Sequence, residues 1–351
     1  MIRAGKLVGS VAAATVGLGA SIAAAQVHLT AETASPGGPP NLSMSHLAEV
    51  ASAAGVASFQ IQAGQTLTNT VLNVAEGKTD VGNAPLLLVF LLSKSLGPYA
   101  TLKGKGAEIA DNLRALYPYN LGSYTLFAFD STGIADWGAL KGRTVFNGPP
   151  RGAAVTGARQ LVKLVTGLDD GKDYKGLQVN WGQADKTISD GSADAFLLPE
   201  SHPSQRIVTA QAAGTVVVYS IPKAVADGEA FKRWATSPGN APTTIDAARL
   251  GYRGVKLKSE DGVFRGVNIT GADVVHKKMD VELARKITAA YIASMEKLKA
   301  KTPFAPNLGI GELDATLSGF CGPNPLKYHP GAIAAWEAAG YKVPDCARPK
   351  P

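Results

Sequence analysis

Four short segments of this 351-residue chain set small residues directly ahead of a helix-like stretch, a placement that turns peptide N–H groups toward an anion. The first is Ser35-Pro36-Gly37-Gly38-Pro39-Pro40-Asn41, where Gly37 and Gly38 let backbone approach a ligand. It also reads as a plain turn. The second is Gly64-Gln65-Thr66 with Asn69 one turn on; Thr66 can cap a helix and still offer its hydroxyl or N–H. The third, Asn83-Ala84-Pro85, is short. The fourth, Asn147-Gly148-Pro149-Pro150-Arg151-Gly152-Ala153-Ala154, is the most informative. Pro149 and Pro150 fix the backbone, Gly152 and Ala153 open a helix, and Arg151 is either a bidentate carboxylate clamp or a solvated rim residue. A fifth segment, Leu197 to Ser204, follows a strand and carries Glu200 and His202. His202 reads as structural more readily than as a contact, and Tyr252 either reaches the same region or packs.

Catalytic and metal templates do not fit. The chain has no G-x-S-x-G elbow, no H-E-x-x-H, no G-x-x-x-x-G-K-[ST] and no G-x-G-x-x-G opening a helix. Its five histidines, at 28, 46, 202, 276 and 329, make no ligand pair at zinc spacing, so neither a cofactor nor a metal is expected. Acid–base pairs that only folding assembles would not show in the sequence. The basic residues are scattered, which argues against nucleic acid as a partner.

These segments need a scaffold of alternating short strands and helix-length runs, which predicts an α/β architecture with mainly parallel sheets. Strands are expected at Val27 to Thr33, Ser58 to Gln62, Thr79 to Gly82, Tyr124 to Phe129, Arg143 to Phe146, Leu177 to Trp181, Ala195 to Leu198 and Thr215 to Ile221. Beyond residue 221 the pattern reads as mostly helical, notably Val281 to Leu298 and Pro330 to Gly340. Extended segments around Pro118 to Phe129 and Val216 to Pro222 bracket about a hundred residues, a domain-sized block. The expected division is a leader at 1–25, one lobe from 26–118 with 222–351, a second lobe at 119–221, and a cleft between them.

The leader has signal-peptide grammar: Arg3 and Lys6, an uncharged run from Leu7 to Ile22, then Ala23-Ala24-Ala25 before Gln26. Cleavage there would leave a formal excess of five basic groups in a periplasmic protein. That excess is compatible with an anionic ligand. In an oxidising compartment Cys321 and Cys346 could pair and pin the C-terminal tail.

The Gly64-Gln65-Thr66-Leu67-Thr68-Asn69 stretch, Glu76-Gly77-Lys78-Thr79-Asp80-Val81-Gly82, Leu140-Lys141-Gly142-Arg143 and the Gly148 to Gly152 loop come in a recognisable order. Asp185 to Ile188, Asp194-Ala195-Phe196 and His329-Pro330-Gly331-Ala332 with Gly340 complete it. In this order the chain resembles the TAXI family of TRAP-transporter solute receptors. The resemblance implies a type II periplasmic-binding-protein fold, with two Rossmann-like lobes joined by a hinge of two crossover strands. It also implies capture of a small organic acid or an amino acid such as glutamate, by a monomer that hands it to a TRAP membrane permease. The first loop lacks the family's aromatic pair, and Asn83-Ala84-Pro85 stands where the family has a Gln-Ser-Asp-like turn. An ABC-type substrate-binding protein, an enzyme and a sensory receptor on the same scaffold are the alternatives.

Overall fold

The computed structural model describes residue 1 and residues 26–150, 152–315 and 317–350. The leader reading and the clamp reading of Arg151 fall on residues outside this set. The chain opens with β1 (Val27–Glu32), α1 (Pro39–Ala53), β2 (Ala57–Gln62), α2 (Leu67–Ala75), β3 (Val81–Pro85), α3 (Leu86–Ser93) and α4 (Gly106–Ala110). A 17-residue strand, β4 (Leu113–Phe129), leads to β5 (Thr144–Phe146), α5 (Ala153–Thr166), β6 (Lys175–Leu177) and α6 (Trp181–Ser189). Next come β7 (Ala195–Glu200), α7 (Gln205–Ala210), β8 (Val216–Tyr219), α8 (Lys223–Ala226) and α9 (Glu229–Ala235). β9 (Asn240–Asp246), β10 (Lys256–Lys258) and the 14-residue β11 (Val263–His276) follow. α10 (Val281–Ile292), α11 (Met295–Lys299), β12 (Lys327–Tyr328) and α12 (Pro330–Ala338) complete the elements.

The strands hydrogen-bond in the order β2-β1-β3-β11-β4-β7-β5-β6. Each wing of this path, β2-β1-β3 and β7-β5-β6, is parallel, as right-handed strand–helix–strand units require. The centre is antiparallel: β11 pairs β3 through Gly271–Val275 and β4 through Asn268–His276. β4 then continues past Ser123 to pair β7 and β8, while β11 begins at Val263 paired with β9. Two long strands therefore pass between two sheet halves, and the fold is the two-lobed type II periplasmic-binding-protein fold that the resemblance implies.

The segment around Val216 to Pro222 is β8, which pairs with β4 and β10; the second strand common to both halves is β11. The reading of the chain beyond residue 221 as mostly helical is corrected by β9, β10 and β11. Their signal is weak because Gly266, Asn268, Gly271 and Asp273 interrupt the β-branched run of β11, and tertiary pairing overrides local preference. The strand expected at Leu177 to Trp181 lies earlier, at Lys175–Leu177, and Trp181 opens α6 instead.

Close contacts fix the helices on this sheet. α2 lies over Gly82 of β3, where a Cβ would fall 2.6 Å from the Thr70 methyl and 2.8 Å from Val74. α5 approaches β4 at Gly157, where a Cβ would sit 1.9 Å from the Tyr124 hydroxyl; that hydroxyl donates to the Ala153 carbonyl at 3.2 Å. α5 buries Ala154, Val155, Ala158, Leu161 and Val162 at helical spacing and ends on Gly167, whose φ of 78° suits a left-handed cap. A second cluster of Phe127, Phe146, Phe196, Leu198 and Val218 lies on the other face of the β7 wing, and it takes in Leu250 from the turn after β9 and Phe264 of β11.

The central strands are tied by one buried carboxylate. Asp273 of β11 accepts from Tyr117 at 2.7 Å, from Tyr119 at 2.7 Å, from Ser43 of α1 at 2.9 Å and from the Asn83 amide of β3. Burial raises its carboxyl above the ordinary value, and the four donors oppose that rise. At the C-terminal end Cys321 and Cys346 form a disulfide across a Cα–Cα distance of 5.5 Å. A loop of this length contributes about 3 kcal/mol through the unfolded chain.

Candidate ligand-binding site

Helices that follow parallel strands begin at the carboxyl ends of those strands, so their N–H ends gather along one edge of the sheet. Here they gather on a cavity of about 200 Å³ lined from both halves. From the first half come Ser35, Gly37 and Gly38 ahead of α1, then Thr66, Leu67 and Thr68 where α2 starts, and Pro85 and Leu88 at α3. The second half contributes Pro149, Gly152, Ala153 and Ala154 at α5, Trp181 and Asp185 of α6, and Ser204 to Arg206 at α7. Leu121 of β4 and Ile269 of β11 form the floor where the two long strands cross between halves, and Phe304 closes one side. First-turn N–H groups have no partner within their helix, so those of Leu67, Thr68, Ala153 and Ala154 are positioned to receive an acceptor.

The ionic side chains are concentrated on one wall. Glu200, 4% exposed at the end of β7, accepts from the Ser204 hydroxyl at 2.5 Å and is ion-paired with Arg206. Arg206 also donates to Asp185 at 3.2 Å, and its guanidinium lies 5.4 Å from the centre of the Trp181 ring. Burial alone would lower the Arg206 pKa, but Glu200 and Asp185 more than offset it and hold the group firmly charged. Ser204 in turn caps α7, accepting from the Ile207 N–H at 3.2 Å. Behind this wall His202 bridges Thr125 at 3.1 Å and Tyr252 at 2.9 Å, and the Tyr252 hydroxyl accepts from the Ser204 N–H. Neither His202 nor Tyr252 lines the cavity. Gly122 of β4, at a φ of +122°, lets the crossing strand run within about 3.1 Å of the Glu200 backbone, measured from where a Cβ would stand.

The NMT1-like family model matches residues 33–340. The chain belongs to the NMT1-like family. Among solved structures, this NMT1-like protein is similar to a TRAP periplasmic solute binding protein from Ralstonia eutropha H16 with bound (S)-2-acetolactate. The two share 12% identity over 92% of this chain and 87% of that one, with a TM-score of 0.46. An extracytoplasmic solute receptor of Bordetella pertussis binding pyroglutamic acid is similar at 12% identity, 90% and 93% coverage and a TM-score of 0.45. A TRAP periplasmic solute binding protein from Desulfovibrio salexigens in complex with diglycerolphosphate matches at 11% identity, 92% and 93% coverage and a TM-score of 0.47. Those ligands are properties of those proteins. No curated protein matches the chain. Among the described residues of this NMT1-like protein, no helix is long and apolar enough to cross a membrane. No group of three or more His, Cys, Asp or Glu residues among them is arranged to hold a metal ion.

Of the residues singled out in the sequence, Ser35, Gly37, Gly38, Thr66, Pro149, Gly152, Ala153 and Glu200 come together on this NMT1-like cavity. Gly64, Gln65 and Asn69 flank the start of α2 without lining it, and Gly148 sits behind the α5 loop against Ala154. Asn83 lies elsewhere, fully buried in β3 with its amide given to Tyr119 and Asp273. Sequence reading missed Thr68, Trp181, Asp185, Arg206, Leu121, Ile269 and Phe304. Arg206 did carry a signal. An arginine in the first turn of a helix opposes the helix dipole and so calls for an acidic partner.

Proposed function

We propose that this NMT1-like protein is a periplasmic solute receptor of the TAXI type, which captures a small carboxylate metabolite between its lobes and delivers it to a TRAP membrane permease. The observation that carries this reading is the convergence of helix N-termini from both halves on one cavity floored by the two shared strands. In the proposed division, residues 26–118 and the C-terminal helices make one lobe. Residues 119–221 make the other, together with β9 and β10, which lie in or beside the Phe127 core. A ligand touching Thr66 and Leu67 on one side and Gly152 and Ala153 on the other favours the closed arrangement by its extra contacts there. The signal-like leader and the Cys321–Cys346 bond support an exported, oxidised location.

The test is native mass spectrometry of freshly secreted protein, followed by thermal-shift titration with organic acids and amino acids. A co-purified carboxylate, or a melting temperature that rises with ligand concentration, is expected. If no small molecule co-purifies and no panel member moves the melting temperature, the receptor reading fails.

A further inference from the structure

The cavity's charge and its apolar surface lie on different walls, and this division bears on the ligand. Resting on the receptor reading, we propose that the ligand class is a monocarboxylate with an uncharged branched or aromatic body. Its single charge sits at the first turn of α2.

Thr68 is in that turn, lines the cavity and is 9% exposed, and its hydroxyl has no hydrogen-bond partner. Thr66 beside it is the N-cap residue yet makes no capping bond, so the Leu67 and Thr68 N–H groups are left without a side-chain acceptor. A buried hydroxyl without a partner costs about 1–3 kcal/mol. A ligand carboxylate oxygen at this turn accepts from the hydroxyl and from the N–H groups together, where the helix dipole also favours negative charge.

Beyond that turn the cavity is walled by Leu88, Leu121, Ile269 and Phe304, all buried and without polar groups in their side chains. An apolar cavity of about 150 Å³ holds a benzene molecule. The volume here, about 200 Å³, therefore suits a ring or branched chain plus one carboxylate. The opposite wall rejects a second one. Among the described lining residues the ionic side chains are Asp185, Glu200 and Arg206, and the arginine is already paired with both acids. That group sums to one negative charge and its arginine is committed, so a second carboxylate placed against this wall meets like charge.

Isothermal titration of the secreted protein at pH 7.5 tests this with benzoate, phenylacetate and 4-methyl-2-oxopentanoate against succinate and L-glutamate. At least one monocarboxylate is expected to bind tenfold or more tightly than either two-carboxylate acid. Thr68→Val should weaken that monocarboxylate about tenfold while leaving the ligand-free melting temperature unchanged or higher, since the orphan hydroxyl is gone. Thr68→Ser should stay within about threefold of the parent. Asp185→Asn, at an exposed position, should narrow the gap to succinate. The proposal is overturned if succinate or glutamate binds as tightly as every monocarboxylate, or if Thr68→Val binds like the parent. Tight binding of the two-carboxylate acids alone removes this inference and leaves the receptor reading standing; binding of none of the five removes this inference, and the wider panel then decides the receptor reading.

Discussion

His46 shows how single buried groups set the conditions under which the fold holds. It lies in α1 with no exposed surface, its Nε2 2.9 Å from the Ser294 hydroxyl and its ring edge-on to Tyr291. Burial lowers its pKa to about 4; Lys301 and Lys297 push the same way, and Glu49 opposes them. His202 is lowered to about 3 by burial alone. In the unfolded chain both titrate near 6.5, so between pH 6.5 and 4 the unfolded state binds more protons and stability falls as pH falls. The full contribution is present above pH 6.5. Urea unfolding at pH 7.5, 5.5 and 4.5 should show a declining unfolding free energy, and His46→Gln should flatten part of that decline. A profile identical in the parent and His46→Gln would show that His46 is not buried neutral. The same burial explains what the sequence could not display at this scale. Glu200 and His202 stood out as polar residues after a strand, but only folding decides that Glu200 lines the cavity while His202 supports the wall behind it.

Helices deliver the site, and their placement rests on residues with no side chain to spare. α5 carries Ala153 and Ala154 to the cavity because Gly157 admits the Tyr124 ring beneath it. Gly157→Ala forces that contact apart. It should cost about 1–3 kcal/mol in chemical denaturation and weaken binding of any cavity ligand more than its effect on helix propensity allows. Unchanged stability and affinity would mean that α5 docks by some other contact. The elements leading to the cavity were largely legible. β1, α1, β2, α2, β5 and α5 announce themselves through β-branched runs, proline starts and glycine ends. The end of β3 and the whole of β11 were not, for one physical reason. Strands in the middle of a sheet are held by neighbours on both sides, so they tolerate residues such as Asn83, Gly271 and Asp273 that a local reading assigns to loops.

Across the whole molecule the contacts that matter most join sequence-distant segments: Ser43 with Asp273, Trp336 with the Leu116 carbonyl, Asn307 with the His202 carbonyl. No local pattern foretells such pairs, which is why the order of family-like motifs conveyed the two-lobed plan better than periodicity did. β4 and β11 bind the two halves together. Each spends part of its length in one sheet half and the rest in the other. Neither half can dissolve while its neighbour stays intact, because the same backbone segments are rungs of both ladders. Scanning calorimetry should therefore record a single transition with equal calorimetric and van't Hoff enthalpies; two resolved peaks would contradict it. A fragment of residues 119–221 made alone would present the bare edge of β4 where β11 belongs, and such an edge recruits other copies into aggregates. The two lobes are thus inseparable as folding units even though each supplies its own wall of one cavity.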